Sequence, residues 1–195
     1  MFSRPLNIRL SIILAPLLLH VSSIWGFASG ETIERLEVHA EAKVGFVVTA
    51  TVHLAAPPIV VQEILTDYEH WPDLFSATVR MARIDRFPDR TVADIYIKHG
   101  FLTMERRLLC ENRELPGGGL ATTMLGGDFR HYSRTWHLSS DGSTNSTKGE
   151  FRLEVDVDTF APNWLVATML KKELESHFEI LKTKTEHRVR HQTAP

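Results

Sequence analysis

Four polar side chains crowd one short stretch of the sequence, ILTDYEHWPDLF at residues 64–75. Asp67, Glu69, His70 and Asp73 could form a metal site or an acid/base pair, because carboxylates and imidazoles serve both purposes. Asp67 and His70 are three residues apart, and so are His70 and Asp73, a spacing that a helix brings onto one side. This spacing permits a metal site without specifying one.

A structural interpretation of the same stretch is stronger. Asp67 lies where one short helix should end and another begin, so its carboxylate could cap free backbone amides. Tyr68 and Trp71 each offer a large apolar face with one polar atom, which suits a corner that closes over a core. Glu69, His70 and Asp73 would then face water. We therefore predict no metal at this corner.

The rest of the chain offers little further chemistry. It contains no nucleophile elbow, phosphate-binding loop, dinucleotide fingerprint or paired-cysteine motif. His131 and His137 share one strand face but would stand roughly 20 Å apart, too far to share a metal. Cys110 lies in an apolar–polar alternation and is expected to be a small buried hydrophobe. The sequence predicts no catalytic residue, metal ligand or cofactor.

Arg134 leaves two interpretations open. The alternation places it on the same strand face as Trp136 and Leu138, which would bury its charge and require a partner or an anionic ligand. Alternatively, the strand bends at Gly126 and Gly127, and Arg134 reaches solvent. We favour the second interpretation.

Composition narrows the class of protein. The chain has 195 residues and a formal net charge of −2, which suits one globular domain. No basic block is dense enough to indicate nucleic-acid binding. Cys110 is the only cysteine, so no internal disulfide can form.

The first residues have the pattern of a secretory signal peptide. Arg4 and Arg9 precede an apolar run, and the small residues Gly26 and Ala28 stand where a signal peptidase would cut. The apolar run is short for a membrane-spanning helix, so we favour cleavage after Ala28 over an uncleaved anchor. The prediction is a signal peptide at residues 1–28 and a mature protein in the periplasm or outside the cell.

Hydrophobic periodicity predicts the elements that would position these residues. Residues 36–54 alternate as a strand or, with a turn near Gly45, as a hairpin. Two short helices follow, then a run of strands with period two, then a helix from about residue 162 to 187 with one apolar stripe. Strands framed by helices indicate an α+β fold, with the sheet curled round the last helix. Residues 188–195 look like a disordered tail.

Three stretches of the sequence resemble the START-related (SRPBCC) superfamily, in its polyketide cyclase/dehydrase and lipid transport branch, which is related to coenzyme-Q-binding proteins. They are AAPPIVVQEILTDYEHWPDLF, GGDFRHYSRTWHL and FAPNWLVATMLKKELESHFEIL. The resemblance covers residues 36–187. It implies a helix-grip fold, in which an antiparallel sheet of about seven strands wraps the C-terminal helix, with two short helices after the first strand.

The resemblance also implies an elongated apolar cavity between sheet and helix, in which family members hold lipids, sterols, quinones, polyketides or hormones. We therefore expect an exported protein that binds or transfers a hydrophobic molecule such as a lipid, a hopanoid or sterol-like compound or a quinone. It would be a monomer that contacts membranes transiently and does not bind nucleic acid. The predicted ligand-binding residues are Tyr68, Trp71, Phe75, Ile95, Ile97, Leu109, Met124, Trp136, Val155, Val166, Met169 and Leu170.

Two other functions stay open. A cyclase or dehydratase would use Tyr68, Asp94 or Arg134 as acid or base, although an export signal argues against a cytoplasmic biosynthetic substrate. A chaperone-like module would shield apolar segments of other proteins. The same apolar residues would also suit a filled core, since Phe46, Trp136 and Met169 are large enough to occupy much of a cavity.

Overall fold

The computed structural model describes residues 32–98, 104–142 and 145–192. The predicted signal peptide lies outside the described residues. The elements, in chain order, are β1 (Ile33–Glu41), β2 (Gly45–Leu54), α1 (Pro58–Thr66), a 3-10 helix (Tyr68–Leu74), β3 (Thr78–Arg86), β4 (Thr91–Lys98), β5 (Arg106–Glu114), β6 (Gly119–Gly127), β7 (Phe129–Ser140), β8 (Thr147–Val157) and α2 (Asn163–Gln192).

All eight described strands belong to one antiparallel sheet, in the order β1-β2-β8-β7-β6-β5-β4-β3. Strands β3 to β8 follow one another both along the chain and across the sheet, and β2 returns to pair with β8. The sheet curves around α2. The α+β class and the helix-grip arrangement are thus confirmed, but the sheet has eight strands where about seven were predicted.

The difference in strand number arises at Gly45: residues 36–54, predicted as one strand or as a hairpin, form the hairpin β1–β2. Gly45 has a φ of +82°, and a Cβ atom at this position would lie 2.6 Å from the carbonyl oxygen of Val155. Only glycine combines this backbone conformation with so close an approach. The two short helices therefore follow the second strand and not the first.

The segment after β2 forms the corner predicted from the two prolines and the apolar spacing. Pro58 occupies the first turn of α1, where no amide hydrogen is needed, and Val61 and Ile64 are buried. The indole nitrogen of Trp71 donates a hydrogen bond to the carbonyl oxygen of Leu65 at 2.9 Å. This bond fixes the 3-10 helix against the end of α1 and places the Trp71 ring inside the sheet's concave face.

Helix α2 continues to Gln192, beyond the predicted end at residue 187 and into the predicted tail. Two contacts of the last turns explain the extension: Val189 packs against the main core, and Arg188 forms an ion pair with Glu63 of α1 at 3.5 Å. Within the described residues, no helix is both long enough and apolar enough to cross a membrane.

The core is divided into two clusters. The backbone of α2 comes closest to β1 and β2, and its side chains reach β7 and β8 in the middle of the sheet. In the larger cluster, the ring of Phe178 on α2 packs edge-on against the rings of Trp136 and Phe151, with centroid distances of 5.6 and 5.3 Å. A second buried cluster sits on β4 and β5 and consists of Ala93, Ile95, Leu108 and Cys110. The space between the two clusters is the candidate site.

Candidate ligand-binding cavity

A cavity of about 120 Å³ lies between α2 and the concave face of the sheet. Inward-facing residues of β4, β5, β7 and β8 supply about half of its wall, because successive side chains of a strand point to opposite faces. The lining residues are Trp71, Phe75, Ala77, Val79, Ile95, Ile97, Leu108, Cys110, Thr122, Phe129, Tyr132, Arg134, Phe151, Leu153, Val155, Val157, Thr159, Val166, Met169, Leu170, Glu173, Leu174 and His177.

The cavity is elongated along β7, β8 and α2. Its lining on α2 runs from Val166 to His177, which corresponds to about 16 Å of helix. On β7 the lining runs from Phe129 to Arg134, a similar length of strand. Strand pairing places Phe129 opposite Val157 and Arg134 opposite Leu153, so Arg134 and His177 mark one end and Phe129 and Val166 the other.

Glu173 ties the wall of the cavity to the chain after the 3-10 helix. Its carboxylate accepts one hydrogen bond from the Ser76 hydroxyl at 2.8 Å and another from the backbone amide of Ala77 at 3.0 Å. Beside it, Met169 and Leu170 are only partly buried. We infer that the mouth of the cavity lies on this side, between the first half of α2 and the start of β3.

A polar network crosses the inner face of the sheet and ends on Arg134. The Asn112 side-chain amide donates to the carbonyl oxygen of Thr91 at 3.3 Å, and the Thr122 hydroxyl donates to the Asn112 side-chain oxygen at 2.7 Å. The Arg134 Nη2 then donates to the Thr122 hydroxyl at 3.3 Å. The guanidinium carbon lies 4.8 Å from the centroid of the Trp71 ring, a cation–π distance.

His177 is a buried neutral histidine in the cavity wall. Its Nδ1 donates to the carbonyl oxygen of Leu74 at 2.7 Å, and its ring stacks on Phe75 with centroids 4.8 Å apart. Burial lowers the pKa of His177 to about 4, outweighing the bond to Leu74. Nε2 therefore carries a bare lone pair, and it has no hydrogen-bond partner within the described structure.

Two other ionisable groups of the wall are held neutral. Burial raises the pKa of the Cys110 thiol to about 11, and it also raises the pKa of the Tyr132 phenol. Cys110 is fully buried and its sulfur lies 3.7 Å from the carbonyl oxygen of Ala93. The thiol is therefore protonated at neutral pH and is not an activated nucleophile.

Most of the predicted ligand-binding residues line the cavity. The alternation that placed Ile95 and Ile97 on the inner face of β4 agrees with the structure. Their part in binding a ligand stays a prediction. The predicted residues found in the wall are Trp71, Phe75, Ile95, Ile97, Val155, Val166, Met169 and Leu170.

Four predicted residues do not line the cavity. Leu109 stands opposite Asp94 on the outer face of the sheet, so Leu108 and Cys110 take the inner positions of β5. Tyr68 is buried behind Trp71, with ring centroids 4.9 Å apart. The other two point inward but do not reach the cavity: Met124 packs on the β4–β5 cluster, and Trp136 is fully buried in the main core beside the rings of Phe151 and Phe178.

The acid/base candidates are not brought together. Asp94 faces outward and binds Arg107 through two hydrogen bonds, Nε to Oδ1 at 2.9 Å and Nη2 to Oδ2 at 2.8 Å. This contact lowers the pKa of the Asp94 carboxyl. The favoured interpretation of Arg134 was wrong, because its side chain is only 6% exposed and does not reach solvent. The alternation of β7 is unbroken from Arg134 to Leu138, so Arg134 faces inward like Trp136.

The acidic stretch that opens the corner forms ion pairs on the surface. The His70 Nδ1 lies 2.8 Å from Asp67, which raises the His70 pKa. Glu69 binds Arg86, and Asp73 lies 3.4 Å from the Lys184 ammonium. The Asp67 carboxylate makes no capping hydrogen bond, so the predicted cap is wrong. In the described ranges, no three acidic, histidine or cysteine side chains converge on a metal position.

His177 and Thr122 are wall residues that the sequence analysis missed. His177 follows Leu174 by three residues and precedes Leu181 by four, so the helical period could have placed it on the apolar stripe. Thr122 stands between Leu120 and Met124, which are apolar and share its strand face, so alternation could have placed it inward. Its position depends on the pairing of β6 with β5 and β7.

Comparison with known proteins gives the same fold at low sequence identity. TTHA0849 from Thermus thermophilus is 21% identical with a TM-score of 0.58, covering 76% of this chain and 99% of that one. A START superfamily protein from Mycobacterium smegmatis is 18% identical with a TM-score of 0.57, covering 72% and 97%. The Zhui aromatase/cyclase from Streptomyces sp. R1128 is 17% identical with a TM-score of 0.61, covering 76% and 98%.

The family assignment rests on a sequence match. No curated protein matches the chain. The family model described as polyketide cyclase/dehydrase and lipid transport matches residues 54–179, which run from the end of β2 into the second half of α2 and include every residue of the cavity wall. The chain therefore belongs to the polyketide cyclase/dehydrase and lipid transport family, within the START-like superfamily.

Proposed function

We propose that this protein binds a hydrophobic small molecule in the cavity between α2 and the sheet, and carries it outside the cytoplasm. The observation that carries the proposal is the cavity itself, whose wall is apolar except for a few placed polar groups. A lipid, a hopanoid or sterol-like molecule and a quinone are the candidate ligands. Removal of residues 1–28 would release the domain into the periplasm or the medium.

The size of the cavity constrains how such a ligand sits. A cavity of about 150 Å³ accommodates benzene, so the 120 Å³ found here takes one ring or a segment of chain. A larger ligand enters by displacing side chains at the mouth. Met169 suits this role, because its unbranched thioether side chain changes rotamer easily and is only partly buried.

Exposed aromatic residues support transfer at a membrane. Phe160 is fully exposed and Trp164 is 70% exposed, and both lie at the start of α2. They lie in the chain between Thr159 and Val166, which line the end of the cavity away from Arg134. Aromatic side chains of this kind favour the interface of a bilayer. Loss of vesicle co-sedimentation in a Phe160→Ser, Trp164→Ser double variant would support this contact, and unchanged sedimentation would contradict it.

Organic extraction tests the binding proposal directly. The full chain, expressed with its own N-terminus in a bacterial host, is purified from the periplasm and extracted, and the extract is analysed by mass spectrometry. We expect a defined hydrophobic compound at a fixed ratio to protein, and a protein N-terminus at Ser29. A clean extract from a protein that also binds no added lipid would overturn the proposal, and recovery only in the cytoplasm would overturn the export.

A cyclase or dehydratase is the second candidate. One observation favours it: the wall contains a cation, Arg134, and a bare imidazole nitrogen, on His177, which could polarise and deprotonate a bound polyketide-like substrate. The other residues considered for this role, Tyr68 and Asp94, do not line the cavity. Turnover of such a substrate by the wild type, lost in a His177→Phe variant that still binds it, would distinguish the enzyme from the carrier.

A further inference from the structure

Arg134 is a buried cation with no counter-ion among the residues that the structure describes. Its side chain is 6% exposed and lines the cavity. Within the described residues, its guanidinium makes one hydrogen bond, from Nη2 to the Thr122 hydroxyl, and its buried Nε has no partner. No carboxylate among those residues lies within 4.0 Å of it, whereas surface arginines such as Arg107 and Arg152 are paired with acids.

The contacts that Arg134 does make are neutral. The Thr122 hydroxyl uses its own hydrogen on Asn112, so it meets the guanidinium as an acceptor only. The Trp71 ring stabilises the charge through its face. Arginine does not lose its proton in proteins, so burial cannot be relieved by neutralisation. A fully buried charge without a partner is strongly unfavourable, and these two contacts offset only part of that cost.

The acid in the same cavity wall is already engaged. Glu173 uses both carboxylate oxygens on Ser76 and on the backbone of Ala77, at the mouth. Arg107 shows how a guanidinium pairs with an available acid in this chain: it donates two hydrogen bonds, of 2.8 and 2.9 Å, to the two carboxylate oxygens of Asp94. Arg134 has the same donors, but among the described residues only the Thr122 hydroxyl accepts a hydrogen bond from it. An anion supplied by a bound ligand would satisfy the donors that remain.

On the basis of the proposed function, we propose that the natural ligand is an apolar carboxylic acid whose carboxylate pairs with Arg134. The carboxylate accepts from the guanidinium donors that Thr122 leaves unused, Nε among them, and the apolar body extends along β8 past Leu153 and Val155 towards Val166. The volume of the cavity favours one ring or a short chain next to the carboxylate. An aromatic acid and a fatty acid share this chemistry, and the experiment distinguishes them.

The test compares acids with neutral molecules of the same shape. Benzoate and decanoate are titrated into the full-length protein by calorimetry beside benzyl alcohol and 1-decanol. We expect each acid to bind at least tenfold more tightly than its alcohol, and the tighter acid identifies the ligand class. Arg134→Met should weaken the acid at least tenfold and leave the alcohol within about threefold. Arg152→Met, which removes a surface arginine of β8, should change neither.

The outcomes separate this proposal from the proposed function. If acid and alcohol bind equally to the wild type, or if Arg134→Met keeps the preference for the acid, the carboxylate is excluded while hydrophobic binding stands. If neither class binds, both proposals fall. Should Arg134→Met not fold, Arg134→Lys keeps the charge without the planar pair of donors and should show a partly reduced acid preference; a wild type that does not prefer the acid still refutes the inference.

Discussion

At the scale of single residues, the burial of His177 makes stability depend on pH. The pKa of His177 is about 4 in the folded protein, against 6.5 for an ordinary histidine. Because the folded pKa is the lower one, this group contributes stability above pH 6.5 that is lost as the pH falls through 4. We expect protonation of this histidine in the unfolded state to lower the unfolding free energy by about 2–3 kcal/mol between pH 7.5 and pH 4.5.

Urea unfolding at the two pH values, followed by tryptophan fluorescence, measures this loss. Carboxylates in ion pairs, such as Asp94 and Glu154, have lowered pKa values and add their own acid sensitivity. His177→Phe isolates the histidine: it should be less stable at pH 7.5 but lose less on acidification. His137→Gln, at an exposed position of β7, should lose as much as the wild type. An equal loss in all three proteins would contradict the prediction.

Cys110 reports on access to the cavity. With a pKa of about 11, about one thiol in a thousand is ionised at pH 8, and the sulfur is buried in the wall. We expect a disulfide reagent to label the native protein at least a hundredfold more slowly than the unfolded protein, and a cavity ligand to slow labelling further. The reaction is followed by absorbance, with 6 M guanidinium giving the one thiol expected. Fast labelling of the native protein would show that the cavity is open to polar reagents.

At the scale of elements, Glu173 connects α2 to the start of β3. Glu173→Ala removes two hydrogen bonds to a carboxylate and should lower the unfolding free energy by about 1–2 kcal/mol. Because these bonds also close the mouth, we expect ligand release to become several-fold faster, as measured by stopped-flow dilution of a fluorescent fatty acid. Glu175→Ala, on an exposed position of the same helix, is the control. A stability loss with an unchanged release rate would place the exit elsewhere.

The elements also show how far sequence alone could lead. Alternation identified the inner faces of β4 and β8 correctly, because each carries apolar side chains on one side and polar ones on the other. It failed at Leu108 and Leu109, where two neighbouring leucines leave the face undetermined and only the pairing with β4 decides it. It left the eighth strand undecided: residues 36–54 fitted one strand or a hairpin with a turn near Gly45, and the close approach of Gly45 to Val155 decides for the hairpin.

At the scale of the whole molecule, the cavity exists because α2 packs on one side of the sheet. Trp136 and Ile95 are both apolar and both face inward, yet Trp136 is core and Ile95 is cavity wall. The difference is the position of each residue relative to the side chains of α2: Trp136 packs against Phe178 of α2, whereas Tyr132 on the same strand lines the cavity. Contacts between residues far apart in the sequence set these positions. The sequence-based interpretation placed Arg134 in solvent for the same reason: its local sequence does not indicate that its strand face lines a cavity.

A ligand that fills this cavity should stabilise the entire domain. Anything that binds only the folded state adds RT ln(1 + [L]/Kd), about 2.7 kcal/mol at a hundredfold excess over Kd. Val155→Phe puts a ring into the cavity from β8, where Val155 is 3% exposed and faces the opening between sheet and helix. We expect the free protein to be as stable as the wild type or more so, because empty volume is filled.

The same ring should abolish the response to ligand. In thermal melts with saturating decanoate or lipid extract, the wild type should gain in melting temperature and Val155→Phe should gain little, with binding at least tenfold weaker. Leu109→Phe adds a ring of the same kind to the outer face of the sheet and should respond as the wild type does. If Val155→Phe and wild type respond equally, the ligand binds elsewhere, because a ring and an occupant cannot share 120 Å³.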